Sequence, residues 1–167
     1  MGFSDFLRIP NYELPRKDSQ GFEQDMGKIN DECRITNYDC WNESLTMKEN
    51  IIQTKSYAFA VRIVRLYQHL SVEKKEFVLS KQVLRCGTSI GANVEEAIGG
   101  QSRADFVSKM SIAYKEARET SYWLRLLKDT GYLSQSEFEN IRADPEELCR
   151  IIAAIQKSTK GKPDANS

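Results

Sequence analysis

The sequence predicts an all-α protein whose helices form an antiparallel, up-down-up-down four-helix bundle. Apolar residues recur every three or four positions in four long segments between residues 47 and 160, which is the spacing that lines one face of a helix. Capping and stop residues separate these segments. Because the connections are short, we expect consecutive helices to pack side by side in opposite directions.

The first helix is predicted over residues 47–70, and the second over 73–98. Thr46 and Glu49 have the spacing of a capping box before the first helix. The first apolar stripe, which Val64 widens, comprises Ile52, Phe59, Ile63, Leu66 and Leu70. The second stripe comprises Phe77, Ser80, Leu84, Gly87, Gly91, Val94 and Ile98.

Glycines mark the interior and the end of the second helix. A glycine inside a helix costs up to about 1 kcal/mol relative to alanine, so Gly87 and Gly91 predict the close approach of a neighbouring helix. Gly99 and Gly100 predict a left-handed stop.

The third helix is predicted over 103–130, with Ser102 and Asp105 as its cap and Gly131 as its stop. Ser134 and Glu137 form another capping box before the fourth helix. Proline removes a backbone donor, so Pro145 predicts a division into pieces at 135–142 and 145–158.

The chain ends differ in composition from the predicted bundle at 47–160. Residues 1–46 carry 5 basic and 9 acidic side chains, a net charge of −4, and predict a poorly ordered leader; Met47 is an alternative start of translation. Residues 161–167 predict a disordered tail. No apolar run approaches the ~20 residues of a membrane span, no secretory signal is present, and the four scattered cysteines predict reduced thiols in a cytoplasmic protein.

Polar residues on the second and third helices form what we call the polar seam. On the second helix they are spaced at i, i+4, i+8 and i+11, which places them on one face. We expect a partly buried network in which Arg85 pairs with a carboxylate of the third helix and Asn93 bonds across the helices. If that pair is buried, Arg85→Ala should cost about 3–5 kcal/mol. The seam consists of Arg85, Ser89, Asn93, Glu96, Glu116 and Glu119.

Three other interpretations of the seam stay open: a metal site, a catalytic site and a binding surface. Carboxylate-bridged metal bundles need Glu-x-x-His motifs. The only histidine of the chain is His69, and the residue three positions before it is Leu66 rather than a glutamate. A nucleophilic thiol needs a histidine base, and none is at hand for Cys86 or Cys149. Paired carboxylates for acid–base catalysis remain an option, and no cofactor is predicted.

From Met47 to Lys160 the chain resembles a family of bacterial four-helix-bundle proteins, the 23S ribosomal RNA intervening-sequence proteins. The resemblance rests on the seam residues together with Trp123. Pro145 is a departure from the family pattern, in which the last helix is usually more continuous. Three stretches carry it: KENIIQTKSYAFAVRIVRLY, LRCGTSIGANVEEA and DFVSKMSIAYKEARETSYWLRLL.

The resemblance implies a ring-shaped homopentamer with no known enzymatic activity. It also extends to the accessory variability proteins of diversity-generating retroelements, which are basic pentamers that bind nucleic acid and a reverse transcriptase. Residues 47–162 carry 19 basic and 14 acidic side chains, a net charge of +5, so this chain is less basic than those relatives.

Two functional hypotheses follow. The first is a non-enzymatic homo-oligomer that binds RNA or an RNA-associated protein, with basic side chains on phosphates. The second is a protein–protein scaffold with no nucleic-acid role, in which the leader docks through residues such as Phe3 and Trp41. The predicted nucleic-acid contacts are Arg62, Arg65, Lys74, Lys75, Lys81, Arg103, Lys109 and Lys115.

Overall fold

A computed structural model of the protein describes residues 50–160, which form four α-helices and no strand. The helices are α1 (Ile51–Val72), α2 (Leu79–Ile98), α3 (Arg103–Asp129) and α4 (Gln135–Lys160). Consecutive helices pack against each other, and α1 also contacts α4. The all-α, four-helix prediction is therefore confirmed. The leader, Met47, the Thr46–Glu49 box and the tail lie outside the described residues.

One continuous core runs between the helices and contains most of the residues of the predicted apolar stripes. Val64 is an exception, because it lies on the outer side of α1 and is 40% exposed. No helix in residues 50–160 is both long and apolar enough to cross a membrane. The largest fully buried side chains are Phe59, Ile52, Ile63, Leu66, Leu70, Ile90, Met110, Leu124, Leu127, Ile141, Leu148 and Ile152.

The second helix begins six residues later than predicted, at Leu79. Residues 73–78 form the connection instead, with Lys75 in a left-handed conformation at φ 53°. Glu76 ends this connection as a buried cap: its carboxylate accepts hydrogen bonds from the backbone N–H groups of Val78, Leu79 and Ser80 at 2.9, 2.8 and 2.6 Å. Phe77, predicted as a core residue, is 52% exposed because it precedes the helix.

The predicted left-handed stop at Gly99 and Gly100 is wrong. Gly99 has φ −81°, and within residues 50–160 Gly131, at φ 80°, is the glycine with a positive φ. Gly100 is needed for space: a Cβ there would lie 2.9 Å from the Ala97 carbonyl oxygen. The predicted stop at Gly131 is confirmed.

Both described serine caps form as predicted, and the Ser134–Glu137 pair forms the complete, reciprocal capping box. The Asp105 amide donates to Ser102 Oγ at 3.1 Å. The Ser134 amide donates to Glu137 Oε2 at 2.7 Å, and the Glu137 amide donates to Ser134 Oγ at 3.3 Å. These pairs fix where α3 and α4 begin.

The predicted division of the last helix is also wrong, since α4 runs through Pro145 without interruption. Pro145 is buried on the same side as Ile141 and Leu148. Arg62 of α1 supports this turn: its Nη2 donates to the Asn140 carbonyl at 2.7 Å, and its Nη1 pairs with Asp144. Arg62 therefore ties the turn that precedes Pro145 to α1.

Gly87 and Gly91 allow a direct test of helix packing. A Cβ at Gly87 would lie 2.7 Å from Cγ1 of Ile63, and Ile63 cannot easily move because it is fully buried and stiff at χ1. A Cβ at Gly91 would lie 3.6 Å from the Ser56 carbonyl oxygen, which is an ordinary contact distance. We expect Gly87→Ala to lower the free energy of unfolding by about 1–3 kcal/mol through overpacking. Gly91→Ala is the matched control, and it should leave stability unchanged or raise it by up to about 1 kcal/mol. Urea denaturation measures both, and equal effects would contradict the predicted difference.

Candidate functional site

The polar seam follows the contact between α2 and α3, and its predicted ion pair is present. Arg85 Nη2 lies 3.3 Å from Glu119 Oε1. The same oxygen accepts a hydrogen bond from Trp123 Nε1 at 3.1 Å. Glu119 therefore holds a cation and an indole at one carboxylate oxygen.

The Arg85–Glu119 pair is more exposed than the partly buried network that the sequence predicts. The Arg85 side chain is 65% exposed and that of Glu119 is 36% exposed. Asn93 does not bond across the helices, because its Nδ2 donates to the Ser89 carbonyl at 2.8 Å within α2. Glu96 forms an ion pair with Lys109. The seam is therefore partly open to solvent. Its carboxylates belong to Glu96, Glu116 and Glu119, and the cations beside them are Arg85 and Lys109.

Glu116 is the buried part of the seam. Its Oε2 is inaccessible to solvent and accepts no hydrogen bond from any residue between 50 and 160. Burial raises the pKa of Glu116, the neighbouring Glu119 raises it further, and Arg85 opposes both. This carboxyl group therefore binds a proton more readily than an ordinary glutamate.

The exposure of the Arg85–Glu119 pair changes the expected effect of Arg85→Ala. Exposed ion pairs contribute about 0–1 kcal/mol, so we expect a loss in that range rather than the 3–5 kcal/mol of a buried pair. Arg125→Ala is the matched control, because Arg125 is also an exposed arginine and has no ion pair within the described chain. A thermal melt of both variants checks this, and a loss above 2 kcal/mol for Arg85→Ala alone would show that the pair is shielded from solvent.

The two described thiols are shielded. Cys86 is fully buried, and Thr120 Oγ1 lies 3.2 Å from its Sγ. Burial raises the pKa of Cys86 to about 11. Burial also raises the pKa of Cys149, although the nearby Arg118 and Arg150 oppose that rise. Thiolates are the reactive form, so neither residue is set up as a nucleophile. Residues 50–160 contain no group of three or more metal-ligating side chains.

The structure does not bring the eight predicted nucleic-acid contacts onto one surface. Arg62 is held by α4 and Lys109 by Glu96. Arg65 and Arg103 are half-buried and not free. The exposed Lys74, Lys75 and Lys81 cluster around the α1–α2 connection, about 30 Å of helix away from Arg103. Lys115 is exposed on α3. Their role as contacts stays a prediction.

A different basic surface, which we call the basic face, lies across α3 and α4. All its members are exposed, and none forms an ion pair with another residue between 50 and 160. Gln156 of α4 donates to Ser111 Oγ of α3 at 2.9 Å, and Arg118 and Arg150 both act on Cys149, so the two rows of cations are adjacent. The basic face consists of Lys115, Arg118, Arg125, Arg150 and Lys157.

The sequence contained a signal for this surface that was missed. Lys115, Arg118 and Arg125 are spaced at i, i+3 and i+10, which places them on one side of α3, away from its apolar stripe. Arg150 and Lys157 are seven residues apart and share a side of α4 in the same way. Only the packing of α3 against α4 shows that the two rows meet.

The outer side of α1 is apolar, and we call it the α1 face. Tyr57, Val64 and Val72 are 65%, 40% and 65% exposed. Their spacing at i, i+7 and i+15 places them on one side of the helix. Exposed apolar residues that share one side of a helix are candidates for a protein–protein contact.

The helices and the seam together define a class of protein, a small four-helix bundle with a polar contact between its second and third helices. Residues 48–154 match the family model of the 23S rRNA-intervening sequence protein, and the chain belongs to this family. No curated protein shows significant sequence similarity to the chain.

A crystal structure of a protein of unknown function from the S23 ribosomal protein family of Bacteroides thetaiotaomicron is similar to this chain. The two are 54% identical, with a TM-score of 0.63, over 64% of this chain and 98% of that one. The resemblance inferred from the sequence is thus confirmed at the level of the family. Neither name specifies a catalytic activity.

Proposed function

We propose that the protein is a non-enzymatic, cytoplasmic homo-oligomer that binds RNA through the basic face. The observation that carries this proposal is the set of five exposed cations, none of which is neutralised by a carboxylate within the described chain. Phosphates are natural partners for such cations, because binding releases the counterions condensed on the nucleic acid. The family name, which refers to 23S rRNA, agrees with this partner.

The proposal includes an antiparallel arrangement of the helices. Gly87 approaches Ile63, while Gly91, further along α2, approaches Ser56, earlier in α1. In the same way Ser111 contacts Gln156, whereas Arg118, further along α3, lies near Cys149, earlier in α4. Contacts that run in opposite order along two helices support the up-down-up-down topology.

A second copy of the chain is the proposed occupant of the α1 face. Tyr57, Val64 and Val72 offer exposed apolar area on the outer side of α1, and a second copy that covers it removes this area from water. In the bundle α1 contacts α2 and α4. A second copy seated on the α1 face therefore leaves the outer side of α3 available to RNA. The ring of five subunits is the form that the family resemblance implies.

The test is fluorescence anisotropy with a labelled RNA and the full-length protein at low and moderate salt, with light scattering on the same sample. We expect an oligomer whose affinity falls steeply with salt. Arg118→Glu/Arg150→Glu should abolish binding, while Lys75→Glu/Lys81→Glu, equally large in charge but away from the basic face, should weaken it far less.

Three results would count against the proposal. Equal losses for the two double variants would show that RNA contacts the chain without preference for the basic face. No binding at low salt by a well-formed oligomer would overturn RNA binding altogether and favour the scaffold. A monomer in light scattering would overturn the assignment of the α1 face.

A further inference from the structure

Among the five cations of the basic face lies an exposed aromatic residue, Tyr122. Its side chain is 50% exposed. Arg118 precedes it by four residues and Arg125 follows it by three, so all three share one side of α3. The ring therefore stands between two guanidinium groups that have no carboxylate partner in the described chain.

The ring of Tyr122 packs against the ring of Trp123. It meets Trp123 edge-on, with ring centroids 5.0 Å apart and an interplanar angle of 71°. Trp123 is in turn fixed by the hydrogen bond from its Nε1 to Glu119 Oε1 at 3.1 Å. An edge-on contact leaves a face of the tyrosine ring open, and an aromatic residue that is already positioned loses little freedom when a ligand stacks on it.

We infer that the basic face recognises single-stranded RNA, with an unpaired base stacked on Tyr122 and the flanking phosphates on Arg118 and Arg125. This inference rests on the proposed RNA binding and specifies its substrate class. In a duplex both faces of every internal base are already stacked, so an aromatic side chain gains a partner only from unpaired bases. Seven residues of helix separate the two arginines, about 10.5 Å, which suits a short stretch of extended strand.

Anisotropy titrations of the full-length protein with a 20-nucleotide single-stranded RNA and with a 20-base-pair RNA duplex test this inference. We expect the single strand to bind more tightly at equal salt. Tyr122→Leu should weaken single-strand binding about tenfold, the effect of one stacked base, without changing the salt dependence. Tyr122→Phe should restore the affinity because it keeps the ring. Phe77→Leu removes an equally exposed ring outside the basic face and is the matched control.

The outcomes separate this inference from the proposed function. Equal affinity for both RNAs, together with full binding by Tyr122→Leu, would overturn the single-strand inference and leave RNA binding intact. A lower salt dependence in Tyr122→Leu would mean that the variant had disturbed the arginines, and a failed rescue by Tyr122→Phe would show that stacking is not the contact. No binding of either RNA would overturn the proposed function itself. Circular dichroism of each variant verifies that α3 is intact.

Discussion

Arg62→Ala should lower the free energy of unfolding by about 3–5 kcal/mol, the loss expected when one partner of a buried ion pair is removed. The Arg62 side chain is 15% exposed and that of its partner Asp144 is 23% exposed. The same guanidinium bonds the Asn140 carbonyl at 2.7 Å. The substitution therefore leaves the shielded Asp144 carboxylate without its cation, beside the proline of α4.

The effect of Arg62→Ala should depend on pH in a definite direction. Burial raises the pKa of Asp144, and Arg62 partly opposes that rise, so the pKa rises further in the variant. A carboxyl group whose pKa is raised by folding favours the folded state when it is protonated. The loss should consequently be smallest near or below pH 4, around the unfolded pKa of an aspartate, and should grow as the pH rises through the folded pKa.

Chemical denaturation across pH measures both effects of Arg62→Ala. Asp144→Asn in the same chain should recover part of the loss, because it removes the stranded charge. Arg142→Ala removes an exposed arginine on the same stretch of α4 and should have a far smaller effect. A loss as small as that of Arg142→Ala would show that the Arg62–Asp144 contact is not needed by the folded protein.

Glu76→Ala should be the second large loss, about 2–4 kcal/mol. Its carboxylate accepts three backbone N–H bonds at the start of α2, and Glu76 is only 7% exposed. Removing it leaves buried donors without an acceptor at the positive end of the helix dipole. The effect should exceed that of losing an ordinary N-cap, about 0.5–2 kcal/mol.

The Glu76 cap also predicts acid sensitivity. Burial alone would raise the pKa of Glu76, but the bonds from the amides of Leu79, Ser80 and Val78 outweigh it, so the pKa lies below its usual value. A group with a lowered pKa stabilises the fold above its unfolded pKa, about 4.3 for glutamate, and this contribution is lost as the pH falls through the folded pKa. Glu76→Gln should thus flatten the stability profile below about pH 4.3.

Urea melts of Glu76→Ala and Glu76→Gln between pH 3 and 7 test the cap. Glu146→Ala, on the exposed side of α4, controls for the loss of a negative charge. An unchanged slope of stability against pH in Glu76→Gln would show that the lowered pKa of Glu76 does not contribute to acid sensitivity.

The sequence predicted the helices well where local patterns decide the structure. The stripes at steps of three and four, the two serine caps and the stop at Gly131 depend on residues within one or two turns of each other. Gly87 was also interpreted correctly, since the cost of a glycine inside a helix implies a close neighbour, here Ile63.

The failures arise where a contact distant in sequence overrides a local signal. Pro145 signals a break, but Arg62, 82 residues away from Asp144, supports the turn in which it lies. Glu76 is a residue type that suits a helix, so the sequence predicts it inside the second helix. Its side chain instead caps that helix from the preceding connection. The basic face was missed because its two rows of cations lie on different helices, and the burial of the seam was overestimated because periodicity does not report solvent exposure.

The packing order of the helices has a consequence for how the chain folds. The main contacts between helices join neighbours in sequence, except the one between α1 and α4. Most of the core can therefore form from local encounters, which is typical of rapidly folding topologies. The contact between α1 and α4 closes a long loop, and ion pairs such as Lys55–Glu147 at 2.7 Å lie along it. We expect this closure to follow the transition state. Substitutions at Arg62 or Lys55 should then accelerate unfolding while leaving the refolding rate nearly unchanged.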